Sequence, residues 1–508
     1  MLRRYNFGSF LIKRCINRPA LDFKERLTPS DILWKIIETN KIKSIQDWKN
    51  VRTDMLNAHK QITPLNLDAM TISICTAKKE YDLAFSYLNY LKKENINLNL
   101  ATLGKYLKLM YMKGTEQPIG KEEEEQILML YDSIRKSHPI LDALTLENVI
   151  VALCLTKKWH LCEALLDEIR VTAVPTTFVT CALISAAFLN NADDLAWKLF
   201  REILERDRLV YTNVYHSYFK KVAKCASKME TFREIEKLFN FMHEHSLKLD
   251  DSAADEFVSS LRKLDVAVNT SVVNRSGVCK CCNGKLQSFD LTEEEFKDLQ
   301  TYIIKNIIVG KDVFSKTTPE ELLRFKHFVS NMDKYDVVID GLNVGYSAGV
   351  KQTTMVFSAL VASVVSHFVN RGKKVLVMGR NHMNKWPKKN WRYVQENAEI
   401  FLTQDLSQDD PYLLYCALHS GKDTIIITRD LMRNQKFLLK NVRQKLLFER
   451  WLAKGKYHLL RVQSSGIPIF REPLPFSSMP QKNGGYWHIP CFVNDKVPGP
   501  DTWLCIKL

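Results

Sequence analysis

The sequence predicts a multidomain fold: an all-α helical-repeat solenoid, then an α/β unit on a parallel sheet, with a small metal-binding domain bridging the two sides of that unit. Three observations predict it. Helix-period apolar text recurs every 31 to 43 residues between residues 65 and 264. Buried-strand signatures alternate with helical text between residues 331 and 469. A Cys-x-x-Cys pair at Cys279 and Cys282 has no second pair, while His488 and Cys505 stand near the C-terminus.

The size and charge agree with this. A chain of 508 residues is long enough for about two to four domains. At 46% apolar residues it can bury sizeable cores and is not a disordered chain. Lys plus Arg is 73 against 57 Asp plus Glu, a net charge of +16, which points to a polyanionic partner, nucleic acid or an anionic membrane surface. No uncharged apolar run approaches the ~18 residues of a membrane-spanning helix, so no membrane insertion is expected. Twelve cysteines are too sparse for a disulfide scaffold and fit a reducing compartment.

Residues 1–30 open with Arg3, Arg4, Lys13, Arg14 and Arg18 around Phe7, Phe10, Leu11 and Ile12, and the first acid is Asp22. Basic, amphipathic and acid-free text of this kind predicts a mitochondrial targeting presequence. Residues 31–64 are expected to be a linker or a partly ordered helix.

From residue 65 to 264 each unit has a helix, a small polar turn and a second helix, with starts near residues 68, 102, 145, 176 and 211. That period is the mark of stacked helical hairpins, each burying its apolar faces on its neighbours. The units resemble pentatricopeptide repeats in degenerate form, which implies a concave RNA-binding surface. The acidic run Glu122–Glu125 reads as a solvated helix start.

Residues 336–344, DVVIDGLNV, read as a buried strand ending in polar residues and glycine. A helix follows at 354–369, then a second strand near 374–379 and another at 423–428. Strands alternating with helices predict a parallel sheet covered on both faces, with chemistry at the carboxyl ends of its strands. The acids lie there: Asp340 after the first strand, Asp409 and Asp410 at a helix start, and Asp430 after a later strand. Taken singly each reads as a turn or helix cap. Together, four carboxylates in one volume repel unless a divalent cation offsets them, and Mg²⁺ favours such hard oxygen ligands. Basic residues surround the acids. Nine lie between Arg429 and Lys456, including Arg433 and Lys436, against only Asp430 and Glu449. A second group, Arg371 to Arg392, contains Arg380 and is interleaved with Trp386 and Trp391. An acidic metal centre in a basic field fits a phosphodiester chain held by its phosphates. Cys279-x-x-Cys282 supplies half of a tetrahedral zinc site, and His488 with Cys505 completes a Cys₃His set; Cys281 and Cys491 compete on spacing.

These residues resemble the protein-only ribonuclease P family, in particular its animal mitochondrial catalytic subunits. VIDGLNVGY (338–346), QDDPYLLY (408–415) and TRDLMRNQ (428–435) are similar to the metal-binding motifs of the family's NYN/PIN-like nuclease domain, and GRNHM (379–383) to a further family motif. Asn434 departs from the acid near that place in the plant-type motif, so only Asp430 is carried over from its segment. The resemblance implies a presequence (1–30), a repeat domain (65–264), a bipartite zinc-binding central domain (265–330 and 470–508) and a metallonuclease domain (331–469). It implies one structural Zn²⁺ on Cys279, Cys282, His488 and Cys505, and one or two catalytic Mg²⁺, with Mn²⁺ as a substitute, on Asp340, Asp409, Asp410 and Asp430. It implies hydrolytic removal of 5′ leaders from precursor tRNA in the mitochondrial matrix, with Arg380, Arg429, Arg433 and Lys436 facing the RNA. It also implies two partner subunits, a tRNA methyltransferase and a short-chain dehydrogenase. Two other readings stand beside it: an NYN-type endonuclease acting on other mitochondrial RNA, and a catalytically inactive repeat protein that binds RNA.

Overall fold

The computed structural model describes residues 28–40, 42, 44–206, 208–305, 319–404, 410–439, 441–491 and 502–508. The basic segment read as a presequence lies outside the described residues, save its last three positions. The chain divides into two compact units, Met1–Ala186 and Ala187–Leu508.

The first unit is helical hairpins. Helices begin at Leu67, Leu100, Ala143 and Thr177, within two residues of the starts read from the sequence, and second helices span Tyr81–Lys93, Lys121–Ser137 and Cys162–Thr172. The polar breaks are what set these starts. Asn99 and Asp142 adopt extended backbone and accept from the N–H of Thr102 and Thr145, satisfying donors that a helix leaves unpaired at its first turn. Residues 31–64, expected as a linker or a partly ordered helix, hold most of the helix Pro29–Asn40 and all of the helix Ile45–Ala58. The second carries a Ser44–Asp47 capping box. Its Trp48 is fully buried, and its Arg52 ion-pairs with the buried Asp68, which also accepts from Tyr87 Oη at 2.6 Å. A linker would not bury a tryptophan or pair a charge inside the repeats, so this span belongs to the solenoid.

The second unit opens with helices Asp193–Glu205, Thr212–Val222, Lys228–Glu244 and Asp251–Lys263. The last two of these helices pack on a small antiparallel sheet in the order β1 (Ala267–Ser271), β10 (Trp503–Lys507), β9 (Tyr486–Pro490), β8 (Gln481–Asn483). Phe239 meets Trp487 edge-on, His243 Nδ1 lies 2.6 Å from the Pro480 carbonyl, and Leu249 N–H donates to the Pro490 carbonyl at 3.1 Å.

Between the halves of that sheet runs the α/β unit. Its six strands are ordered β4 (Glu399–Thr403), β3 (Val375–Arg380), β2 (Val337–Asp340), β5 (Ile425–Ile427), β6 (Lys456–Val462), β7 (Pro468–Arg471). The first five pair in parallel and β7 closes the edge antiparallel. The strands are near-continuous apolar text because both faces are covered. Val338, Leu376 and Ile426 face one core with Phe448 and Trp451; Val337, Ile339, Val377 and Ile427 face the other with Val361, Val365 and Trp391.

Two expected boundaries shift. Helices Glu293–Ile303 and Pro319–Ser330, assigned to the central domain, bury Phe296, Leu299, Ile303 and Phe325 in the core that holds Val338. They therefore belong to the α/β unit. Strand β7 likewise crosses the expected limit at residue 469. The central sheet keeps 267–286, 476–491 and 502–508, with Val273, Cys279, Leu286, Phe476, Trp503 and Cys505 as its core.

Candidate functional site

The order of strands in the large sheet reverses between β2 and β5, because the chain leaves β2 toward β3 and β4 and returns on the other side to β5. In open parallel sheets the crevice at such a reversal, beyond the carboxyl ends, is where ligands bind. Asp340 is the last residue of β2, and Thr428-Arg429-Asp430 directly follows β5.

Hydrogen bonds lace the two ends together. Asp340 Oδ1 accepts from the Asn343 N–H at 3.0 Å, so the carboxylate caps the short helix Gly341–Gly345. Its Oδ2 accepts from Thr428 Oγ1, also at 3.0 Å. The same hydroxyl oxygen accepts from the Asp430 N–H at 3.1 Å, and Asp430 Oδ1 accepts from the Met432 N–H. Asn343 Oδ1 accepts from the Arg429 N–H at 3.3 Å. Asp340 and Thr428 are buried while Asp430 is half-buried, so one carboxylate is held inside and the other opens to solvent. Lys456 Nζ donates to the Asp430 carbonyl at 2.8 Å, and burial holds this ammonium's pKa below the ordinary lysine value. A donor set of carboxylates at a strand-order reversal fits a hard divalent cation.

Of the other two acids, Asp410 is the first residue of helix Asp410–Ser420, which packs on β2 through Tyr412, Leu413 and Cys416. Asp409 lies outside the described residues.

The motif at 379–383 acquires a physical role. Met383 is fully buried beneath the site. A Cβ on Gly341 would stand 2.8 Å from Met383 Cε and 2.9 Å from the Met378 carbonyl oxygen, and a Cβ on Gly379 would collide with Met383 Sδ. Glycine at both places lets the loop after β2 sit directly on β3.

The cations separate into two kinds. Arg429 and Arg433 are exposed; Arg429 Nη1 also donates to the Ser347 carbonyl at 3.2 Å. Arg380, half-buried, ends β3. Lys436 ion-pairs with Glu449. Much of the basic run beyond it ties the helix Val442–Gly455 down: Arg450 donates to the Phe289 and Asp290 carbonyls, Lys454 contacts Asp290 and Asp423 at 2.9 Å, and Arg443 lies 3.7 Å from Asp298. Those bases serve the fold, a use that counting charges along the sequence does not separate from RNA contact. Thr428 was the residue missed; its signal is a hydroxyl at a strand end two places before an acid.

The second cluster is on the small sheet. Cys279 and Cys282 lie on a tight turn closed by Asn283 at φ 59°, and the β9–β10 register sets His488 directly across from Cys505. The three Sγ atoms and an imidazole nitrogen all fall within 4.8 Å of one another. Cys282 Sγ is 3.2 Å from His488 Nε2, and Cys505 Sγ is 3.9 Å from it. The edge of a tetrahedron around zinc with thiolates at ~2.3 Å is about 3.8 Å, so the set has the size of a metal site. Burial pushes the Cys282 and Cys505 thiols above the ordinary cysteine value. Cys279 is also pushed up by burial, but hydrogen bonds from Ser271 and the Cys282 and Cys281 N–H groups bring it below that value. Burying Cys279, Cys505 and a neutral histidine beside the half-buried Cys282 is favourable when a metal takes their lone pairs. Of the competing ligands, Cys281 is exposed and Cys491 turns its Sγ toward the Ile489 carbonyl; neither joins the cluster.

Among the described residues no helix is long and apolar enough to cross a membrane. Residues 273–505 match the family model described as protein-only RNase P. The chain is 26% identical over 443 residues to the mitochondrial ribonuclease P catalytic subunit of Rattus norvegicus, covering 84% of this chain and 72% of the relative. Identity to the corresponding subunit of Mus musculus is also 26% over 443 residues, covering 73% of that relative. The fold is similar to the crystal structure of nuclear proteinaceous RNase P 2 from A. thaliana, with a TM-score of 0.60 and 15% identity over 88% of this chain and all of that one.

Proposed function

From the match of residues 273–505 to the protein-only RNase P family model and the likeness to mitochondrial ribonuclease P catalytic subunits, we propose that this chain is an endoribonuclease that removes 5′ leaders from precursor tRNA. The observation that carries the reading is the laced pair Asp340 and Asp430 at the strand-order reversal, in a chain that otherwise offers helical repeats to RNA.

In this reading Asp340, Asp409, Asp410 and Asp430 hold one or two Mg²⁺, for which Mn²⁺ substitutes. When bound, the metal supplies Lewis-acid polarisation of the scissile phosphate and lowers the pKa of a water. The chain's own part is positional. Thr428 and the Asn343 N–H fix both oxygens of Asp340, so its carboxylate does not turn as substrate arrives. Asp430 is fixed through its N–H and through Met432, and presents its remaining oxygen. One carboxylate of the 409/410 pair orients the attacking water and accepts its proton. The water oxygen bonds to phosphorus, the bond to the leader's 3′ oxygen breaks, and that oxygen takes up a proton. The tRNA keeps a 5′-phosphate and the leader a 3′-hydroxyl.

The repeats at 65–264 recognise the folded tRNA by shape, and Arg380, Arg429 and Arg433 hold phosphates beside the acids. The Cys279, Cys282, His488 and Cys505 cluster holds one structural Zn²⁺. The names of the mammalian relatives and the basic N-terminal segment support work in the mitochondrial matrix. Partnership with a tRNA methyltransferase and a short-chain dehydrogenase extends the same reading.

The test is cleavage of a mitochondrial precursor tRNA with Mg²⁺, with and without those two proteins, beside Asp409→Asn. Cleavage at the mature 5′ end that Mg²⁺ supports and Asp409→Asn abolishes, with RNA binding intact, is the expected result. Cleavage of unstructured RNA with equal ease would indicate a general NYN-type nuclease. Binding with no cleavage under any condition would indicate an inactive RNA-binding protein.

A further inference from the structure

The segment that carries Asp430 continues into the helix Arg433–Leu438, and this helix has two unlike sides. Gln435 within the helix and Met432 and Leu439 at its two ends are all buried. The other side is open. Phe437 is 81% exposed, and Leu431 and Leu438 beside it are 53% and 46% exposed. Arg433 stands four residues before Phe437, so guanidinium and ring share the outer face. Arg429, also exposed, lies on the turn that holds Asp430.

An exposed phenylalanine is a poor choice for a solvated surface. It is costly to leave in water, and it contributes nothing to the core beneath it. Lys436, the neighbouring base, is engaged by Glu449, so its position does not screen the ring with a mobile charge. What the patch offers is one flat apolar face with the Arg433 guanidinium one helical turn before it and exposed Arg429 on the preceding turn, next to the carboxylates that would hold the scissile phosphate. This is the composition of a single-strand platform: a ring for a base, and cations for the phosphates on either side. In a precursor tRNA the nucleotides next to the cleaved bond on the tRNA side are paired and already stacked. Those on the leader side are unpaired and have a free face.

We infer that Phe437 is a stacking platform for an unpaired base of the 5′ leader, with Arg433 and Arg429 holding the adjoining phosphates. The inference rests on the proposed function and adds to it a residue that reads the leader rather than the tRNA body. A partner protein would use such a patch differently. It would bury Leu431 and Leu438 as well and have no need of two arginines facing phosphate.

The test compares binding of a precursor tRNA with a leader of several nucleotides and of the same tRNA without a leader. Both use full-length protein carrying Asp409→Asn, so that RNA is not consumed. Phe437→Ala is expected to weaken binding of the leader-bearing RNA about 5- to 150-fold, the loss of one stacked base. Binding of the leaderless tRNA stays within twofold, and Phe437→Tyr restores the original affinity. A 2-aminopurine in the leader next to the cleavage site is quenched when Phe437 is present and after Phe437→Tyr, and is not quenched after Phe437→Ala. Equal loss for both RNAs, or no loss for either, overturns the inference. So does a loss that appears only when partner proteins are present, which assigns the patch to a protein. Because binding is read apart from cleavage, failure of the nuclease reading shows as an uncut precursor with wild-type protein and leaves the stacking result legible.

Discussion

Thr428→Val removes one oxygen and keeps the side-chain shape. That oxygen does two things: it donates to Asp340 Oδ2 at 3.0 Å and accepts from the Asp430 N–H at 3.1 Å. A hydrogen bond to a charged group contributes about 1.5–3 kcal/mol and one between neutral groups about 1 kcal/mol, so the restraint lost is about 2–4 kcal/mol. The effect on metal has two opposing parts. Asp340 Oδ2 becomes more basic without its donor, which favours a cation. The carboxylate also gains freedom to rotate about its remaining bond to Asn343, which spoils the geometry. Geometry should dominate, because misplacement of about 1 Å in a site of this kind costs on the order of 100-fold. If the whole restraint is expressed in the transition state, kcat/KM for precursor tRNA falls about 30- to 1,000-fold, at about 1.4 kcal/mol per factor of ten. Thr428→Ser keeps the hydroxyl and should retain most of the rate. The assay is multiple-turnover cleavage across a Mg²⁺ titration, with binding of the tRNA as the control that should not move. A Thr428→Val protein cleaving within threefold of wild type would refute the claim that this hydroxyl positions the carboxylates.

Gly379→Ala should lower activity and melting temperature, and Met383→Ala should rescue much of the loss, because every close neighbour of the new Cβ is a side-chain atom of Met383 or Leu402. Gly341→Ala should resist the same rescue, since the Met378 carbonyl oxygen, 2.9 Å from its Cβ, is backbone; equal rescue of both would contradict the packing described. Cys505→Ser should take the zinc content, measured by metal analysis, from one per chain to well below one, and a strong chelator should lower the wild-type melting temperature toward that of the variant; unchanged zinc would remove Cys505 from the ligand set. Stability should decline on acidification below pH 6.5. Burial holds the pKa of His245, His367, His419 and His458 below the ordinary histidine value, so their neutral forms cost nothing above pH 6.5. As pH falls the unfolded chain takes protons first, so urea midpoints at pH 5.5 should lie below those at pH 7.5; an equal or higher midpoint would reverse the sign argued here.

The repeats were legible because their punctuation is local. Asn99 and Asp142 act within three residues of themselves, so the break is visible in the text around it. The strands were legible because VVID and VLVM are buried on both faces and carry no alternation to obscure. The zinc set was half legible: the Cys279–Cys282 spacing is local, while the choice of His488 and Cys505 over Cys281 and Cys491 depends on the register of β9 against β10. The packing partners of helices Ile45–Ala58 and Glu293–Ile303 were not legible, for the same reason in both. Their amphipathic patterns say that they pack, and only long-range contacts, Arg52 with Asp68 or Phe296 with Trp451, say on what. The basic run after Arg429 misled most, because Arg450 and Lys454 find partners some 160 residues away.

The pairing of β1 with β10 and the reach of the cysteine cluster across it have a consequence for the unfolded chain. A metal held by Cys279 and Cys505 would close a loop of about 230 residues, and in the chain-entropy account of cross-links a loop of that length is disfavoured by about 5 kcal/mol when open ends must be brought together. The whole parallel sheet lies inside that loop. Melting the sheet while the cluster holds would release a tethered ring with both ends still in place, a far smaller ensemble than a free chain. The ion would thus stabilise strands it never touches, and its removal would be felt first as a longer time to refold the sheet.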